Sequence, residues 1–195
     1  MNKSFSKLHG QSLVSLIKKF VEVTKKNCDF GAGSGDLISL LLQNGYHAGA
    51  FEPSKNRCSD FPHAVLKHPH FLGFNTNTRY DCVLCFEVLE HIHNNNLDES
   101  LNTIQGMLKK DGILLGSVPY SENLEDNYCI CPHCKAMFHK WQHMRSFTPE
   151  QIYQFLEHHN FTDIKILATK FTDSVFFVAK HNGVIRKGDS RENTV

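Results

Sequence analysis

The sequence predicts an α/β domain in which helices cover both faces of a mostly parallel sheet. Three observations carry that expectation. Short apolar runs of strand length alternate with helical stripes between residues 12 and 119. A glycine-rich turn, Asp29-Phe30-Gly31-Ala32-Gly33-Ser34-Gly35, joins the first run to the next helical stripe. Two consecutive strand-like runs, 161–168 and 174–179, then close the pattern. Strands that alternate with helices are joined by crossovers into a parallel sheet buried on both sides, whereas consecutive strands make a hairpin.

Each element has its own signal. Leu13, Leu16, Ile17, Phe20 and Val21 recur at helical spacing with Lys18, Lys19 and Glu22 between them, which predicts a helix over 12–26. Lys26–Phe30 reads as strand one. Helix A opens at Gly35, runs through Leu37, Ile38, Leu40, Leu41 and Leu42, and stops at Gly45. Strand two is Tyr46–Phe51, ending on Glu52. Pro53, Pro62 and Pro69 leave room only for short elements over 53–79. Tyr80–Phe86 is a buried-strand run. Leu97, Leu101, Ile104, Met107 and Leu108 form a further helical stripe, with Lys109 and Lys110 in its last turn and Gly112 after it. Ile113–Val118 is the next strand. After an aperiodic stretch at 120–146, Thr148-Pro149-Glu150-Gln151 is a capping box with proline at the first helical position.

A chain of 195 residues can bury one full core, so residues 1–181 are expected to form a single domain and 182–195 a loose charged tail. The net charge of +1 gives no global case for nucleic acid or an anionic membrane. No apolar stretch approaches the 18 residues of a spanning helix, and Met1-Asn2-Lys3-Ser4-Phe5 is no secretory leader. Cys28, Cys58, Cys82 and Cys85 stand singly in apparent core segments and read as free thiols of a cytoplasmic protein.

The glycine turn follows a strand, opens a helix and has an acid, Glu52, 17 positions beyond Gly35. That matches a nucleotide-type loop, where glycines bring backbone N–H groups close to a ligand and an acid about 20 residues on takes ribose hydroxyls. Asp29 within the turn segment would repel a pyrophosphate but suits a cationic or amine-bearing ligand.

Asp29–Gly35 resembles the first motif of class I S-adenosylmethionine-dependent methyltransferases, and Glu52 their ribose-binding acid. Tyr80-Asp81-Cys82-Val83, continued by Glu87-Val88-Leu89-Glu90-His91-Ile92, is similar to the strand-four segment of the ubiquinone-biosynthesis-like subgroup. Leu108-Lys109-Lys110-Asp111-Gly112-Ile113-Leu114-Leu115 resembles its helix-to-strand-five segment. The resemblance implies a Rossmann-like three-layer sandwich around a seven-stranded sheet with an antiparallel terminal hairpin. It also implies S-adenosylmethionine bound by Asp29, Gly31, Gly33, Gly35, Glu52, Phe86 and Glu87. The acid often found near the adenine after strand three has no counterpart in Asn75-Thr76-Asn77-Thr78.

Methyl transfer is an in-line displacement, and it needs a base only when the acceptor is protonated. His91 is the candidate base for a hydroxyl acceptor; the competing reading is a histidine that packs at the start of a loop.

The remaining signal is the insert at 120–146. Cys131-x2-Cys134 followed by His139-x3-His143 offers two thiolates and two imidazoles at spacings that wrap one tetrahedral ion, and zinc fits mixed S/N ligands. Cys129 and His133 are spare ligands. Four protein ligands leave no open position, so the site reads as structural. The segment resembles a Cys-Pro-x-Cys…Phe-His…His-x-Arg-Ser-Phe insert of some class I methyltransferases, which places it on the substrate side. Trp141 and Phe138 are expected as its small core, with aromatic substrate contacts as the alternative.

Two functions follow. The first is a methyltransferase with a zinc-stabilised insert over the acceptor site and a small-molecule acceptor; nucleic acid or protein acceptors are the less favoured classes. The second is a non-catalytic module that binds the cofactor or zinc and regulates or recruits. The intact Asp29, glycines and Glu52 favour the first.

Overall fold

The computed structural model describes residues 5–54, 78–168 and 173–184. Along the chain lie α1 (Phe5–Ile17), β1 (Lys26–Phe30), α2 (Asp36–Gln43), β2 (His47–Phe51), β3 (Tyr80–Phe86), α3 (Asn94–Met107), β4 (Leu108–Pro119), β5 (Tyr128–Ile130), β6 (Met137–His139), α4 (Pro149–His158), β7 (Phe161–Ala168) and β8 (Ser174–His181). The main sheet has the order β2–β1–β3–β4–β8–β7. β1, β2, β3 and β4 pair in parallel, while β8 runs antiparallel to both β4 and β7.

This is the expected α/β sandwich with its terminal hairpin, but among the described residues the main sheet has six strands rather than seven. Residues 55–77, which include Cys58, Pro62, Pro69 and Asn75–Asn77, lie outside the described residues, as do 169–172 and most of the expected tail.

The core divides by face. Leu13, Ile17, Leu37 and Leu41 from α1 and α2 pack with Leu84 and Leu115 on one side of the sheet. Leu101, Ile104 and Met107 of α3 join Ile152 and Leu156 of α4 against Val83 and Leu114 on the other. Each such side chain contributes roughly 1.5–3 kcal/mol on burial, which is why the central strands read as nearly continuous apolar runs. The capping box before α4 forms as expected: Gln151 N donates to Thr148 Oγ1 (3.2 Å), and Thr148 N donates to Gln151 Oε1 (2.8 Å).

Three boundaries differ from expectation. α1 ends at Ile17 rather than near residue 26, because Phe20 N and Val21 N both turn back to the Ile17 carbonyl. Lys109–Gly112 belong to β4 rather than to a helix end. Asp111 takes a positive φ of 64°, the register shifts between Tyr80 and Cys82, and Lys109 Nζ reaches Asp81 Oδ1 at 2.8 Å. The insert is not wholly irregular: a 3-10 turn over Leu124–Asn127 leads into an antiparallel ribbon of β5 and β6, with Cys129 opposite Phe138. Strands of three residues are too short to show an alternation in sequence.

Candidate functional site

β1 delivers Asp29 to the carboxyl end of the sheet, opposite Ala50 of β2 and Leu84 of β3. There the chain turns through Gly31, Gly33 and Gly35 at φ of 78°, 54° and 77°, values that L residues with a Cβ rarely adopt. Gly31 N and Ala32 N donate to the Phe51 carbonyl at 2.8 and 3.2 Å, tying the loop to the end of β2. Gly33 N donates to Glu52 Oε2 and Ser54 N to Glu52 Oε1, each at 2.9 Å. The glycines therefore differ in role. A Cβ on Gly31 would sit 2.7 Å from Val88 Cγ2, whereas around Gly33 the nearest atom is the Gly31 carbonyl oxygen at 4.0 Å. Gly31 packs against the turn after β3, and Gly33 borders open space.

Asp29 and Glu52 are both buried at this edge. Burial, reinforced by the neighbouring Glu52 charge, pushes the Asp29 carboxyl from 3.8 up to about 8. Two buried acids facing one another over an open glycine loop are a poor arrangement alone and a good one around a cation.

Phe86 is buried and lies 6.3 Å from the Phe176 ring, centroid to centroid. Glu87 follows with a positive φ of 54°; its backbone N–H donates to the Ser117 carbonyl (3.0 Å) and its Oε1 accepts from Ser117 Oγ (2.6 Å). Burial raises the Glu87 carboxyl, and the Ser117 hydroxyl partly offsets this. The seven expected cofactor residues thus sit on β1, β3, the glycine loop and the end of β2, along one edge of the sheet.

The insert leaves from the end of β4 and returns where Tyr120 and Phe147 form a parallel bridge. Its returning limb lies on the turn after β3. Met144 N donates to the Glu90 carbonyl at 2.8 Å, and Arg145 donates to the Leu89 carbonyl and to Asn94 Oδ1. His91 Nδ1 faces the Gln142 carbonyl at 3.3 Å. This brings His91 and His143 together, their rings 4.8 Å apart and edge to face.

The four residues with zinc spacing separate into two pairs. Cys131 and Cys134 share a tight turn closed by Lys135 N to the Cys131 carbonyl (3.0 Å), where the Cys134 and His133 N–H groups lower the Cys131 thiol. His139 and His143 stack at 5.1 Å and face Glu122 instead of the thiols. Among the described residues, two groups bring three metal-capable ligand atoms within 4.8 Å of one another: Glu90–His91–His143 and Glu122–His139–His143. Glu122 carried no signal in the sequence, since it is one acid in the polar run Ser121-Glu122-Asn123 and meets its histidines only through the folded ribbon. Phe138 and Trp141 are 49% and 40% exposed, so the insert has no aromatic core of that kind; Lys140 Nζ instead lies 4.7 Å over the Trp141 ring.

Comparison with known proteins fits this geometry. Residues 8–166 match the model of a family described as a methyltransferase domain. No curated protein matches the chain in sequence. Among solved structures, the chain is similar to the 1,6-didemethyltoxoflavin-N1-methyltransferase of Burkholderia thailandensis, solved with S-adenosylhomocysteine (17% identity, TM-score 0.63, 90% of this chain and 84% of that one). It is also similar to a SAM-dependent methyltransferase from Archaeoglobus fulgidus (15%, 0.61, 87% and 93%). A third likeness is to the glycopeptide N-methyltransferase MtfA with S-adenosylhomocysteine (15%, 0.63, 89% and 90%). At these identities the likeness is one of fold. The family match over most of the chain goes further, and this chain belongs to the methyltransferase domain family, with the Rossmann-like fold of the S-adenosylmethionine-dependent enzymes.

Proposed function

We propose that the chain transfers a methyl group from S-adenosylmethionine to a small-molecule acceptor lodged between the glycine loop and the insert. The observation that carries this is the buried Asp29–Glu52 pair beside the open face of Gly33. Bound there, S-adenosylmethionine supplies a methyl group on a cationic sulfonium. Asp29 and Glu52 provide the negative field that such a cation and its ribose hydroxyls require, and Gly33 leaves room for close approach. Gly31 and Gly35 hold the loop in shape, while Phe86 and Glu87 border the site from β3.

The small-molecule class rests on two supports. Two of the similar structures are a 1,6-didemethyltoxoflavin-N1-methyltransferase and a glycopeptide N-methyltransferase, and the net charge of +1 offers no broad attraction for a polyanion. No described helix is long and apolar enough to cross a membrane. A zinc ion on Cys131, Cys134, His139 and His143 is supported on the thiol side alone, by the N–H groups aimed at Cys131. Use of His139 and His143 would require both to leave Glu122.

The test is calorimetric titration with S-adenosylmethionine, followed by incubation with acceptor pools and mass detection of a methyl gain. Micromolar binding that Gly33→Ala weakens by more than tenfold, with turnover on some pool, is expected. Binding without turnover on any pool would favour the cofactor-binding module; absence of binding would refute both.

A further inference from the structure

We propose that Cys131 and Cys134 are half of a zinc site that a second copy of this chain completes, one Zn2+ joining two ribbon tips through four thiolates. The site goes beyond methyl transfer and needs neither cofactor nor acceptor.

The turn at the tip is built to present its thiols. β5 and β6 pair antiparallel, and Cys131 N donates to the Ala136 carbonyl (2.8 Å), which extends the ladder one step beyond Ile130. Lys135, at a positive φ of 61°, turns the chain back while its N–H closes on the Cys131 carbonyl at 3.0 Å. Inside this turn the two sulfurs converge: the backbone N–H groups of Cys134 and His133, and the Cys134 thiol, all donate to the Cys131 sulfur. N–H groups aimed at one sulfur favour a ligating thiolate. Pro132 fixes the backbone between the cysteines, so little entropy is lost in ordering the pair.

Two ligands do not finish a structural zinc site, which takes four in a tetrahedron. The same chain does not bring up the other two. Among the described residues, neither cluster of three metal-capable side chains includes a cysteine. His139 and His143, the ligands expected from spacing, are turned to Glu122. His139 Nδ1 also accepts from Trp141 N (3.3 Å) and His143 N (3.0 Å), so that nitrogen is already occupied. Cys129 sits further back in the ladder, opposite Phe138.

The surface position of the turn supplies what is missing. Pro132, His133, Cys134 and Lys135 are all exposed at the end of the ribbon, where another molecule can reach them. A two-fold axis through an ion between two such tips brings the same two thiolates from each side. Four thiolates around Zn2+ carry a net negative charge, which the exposed Lys135 of each chain offsets. Alternation along the ribbon puts Phe138 on the Cys131 side, and this ring, 49% exposed, gains cover in the pair. Each thiol gives its proton to solvent as it ligates, and no oxidant or reductant takes part.

The test uses the full-length protein, reduced with a phosphine, stripped of metal and titrated with Co2+ alone. Visible absorption and sedimentation follow the titration. We expect a thiolate-to-cobalt charge-transfer band that levels off at about half an ion per chain, together with a doubling of the mass in solution. Cys131→Ser and Cys134→Ser should each weaken the binding that gives this band by more than about 100-fold and leave the protein monomeric. Both thiols lie in a surface turn and fill no core, so the serine variants keep the fold. A band that levels off at about one ion per chain in a monomer would place all the ligands in one chain and overturn the proposal. So would the absence of a band, or a doubled mass that persists in Cys131→Ser. The titration contains no S-adenosylmethionine, so failure of the cofactor reading leaves it interpretable.

Discussion

Asp29→Asn separates the cost of a buried acid from its use. Burial and then Glu52 raise the Asp29 carboxyl from 3.8 to about 8, so between those values the folded chain keeps a proton that the unfolded chain releases. A raised folded-state value contributes stability that is fully present below the unfolded value and lost as pH rises through the folded one. The window of loss therefore runs from about pH 4 to about pH 8. Across roughly three pH units at about 1.4 kcal/mol each, the penalty at pH 7 has a ceiling of about 4 kcal/mol. Local relaxation at a higher effective dielectric halves it to about 2 kcal/mol. Asparagine has the same shape and no charge. The ligand-free variant should match the parent near pH 4 and exceed it by about 2 kcal/mol at pH 7–8, or about 4–8 °C in Tm for a domain of this size. Thermal melts of the ligand-free proteins at pH 4.5, 6 and 8 measure the difference directly. S-adenosylmethionine affinity should meanwhile fall at least tenfold. A stability gap that does not change with pH, or an Asp29→Asn protein less stable than its parent at pH 8, would refute the reasoning.

Two glycines of the loop should give contrasting results. Gly31→Ala places a Cβ 2.7 Å from Val88 at φ 78° and should cost about 2–4 kcal/mol of stability in urea melts, whereas Gly33→Ala, with open space around it, should cost only about 1–2 kcal/mol. Equal losses would remove the distinction between packing and ligand-facing glycines. Thr148→Ala breaks both halves of the capping box before α4 and should lower stability by about 1 kcal/mol with cofactor affinity unchanged; a loss below 0.3 kcal/mol would mean that packing alone holds the helix start.

What the sequence revealed depended on how local the signal was. β1, β3 and the capping box were legible because period, glycine phase and cap chemistry lie within a few residues of one another. Asp29 and Glu52 were legible because a βαβ unit fixes the distance between its loop and its acid. The end of α1 was not, since Phe20 and Val21 keep the helical spacing while burying themselves from a turn. The metal-capable cluster was the least accessible. His91 and His143 meet only because the insert docks on the turn after β3, and Glu122 meets His139 and His143 only through the folded ribbon. The Cys/His spacing was real as sequence, but the ribbon points its thiols and imidazoles to different neighbours.

That docking has a mechanical consequence. The returning limb is clamped at Gln142, Met144 and Arg145 to the Leu89–Asn94 turn, while the ribbon beyond it carries exposed Ile130, Met137 and Phe138. Lifting the clamp would break several hydrogen bonds at about 0.5–1.5 kcal/mol each. The insert is thus an arm fixed at its shoulder, with its exposed apolar side chains carried at the far end of the ribbon.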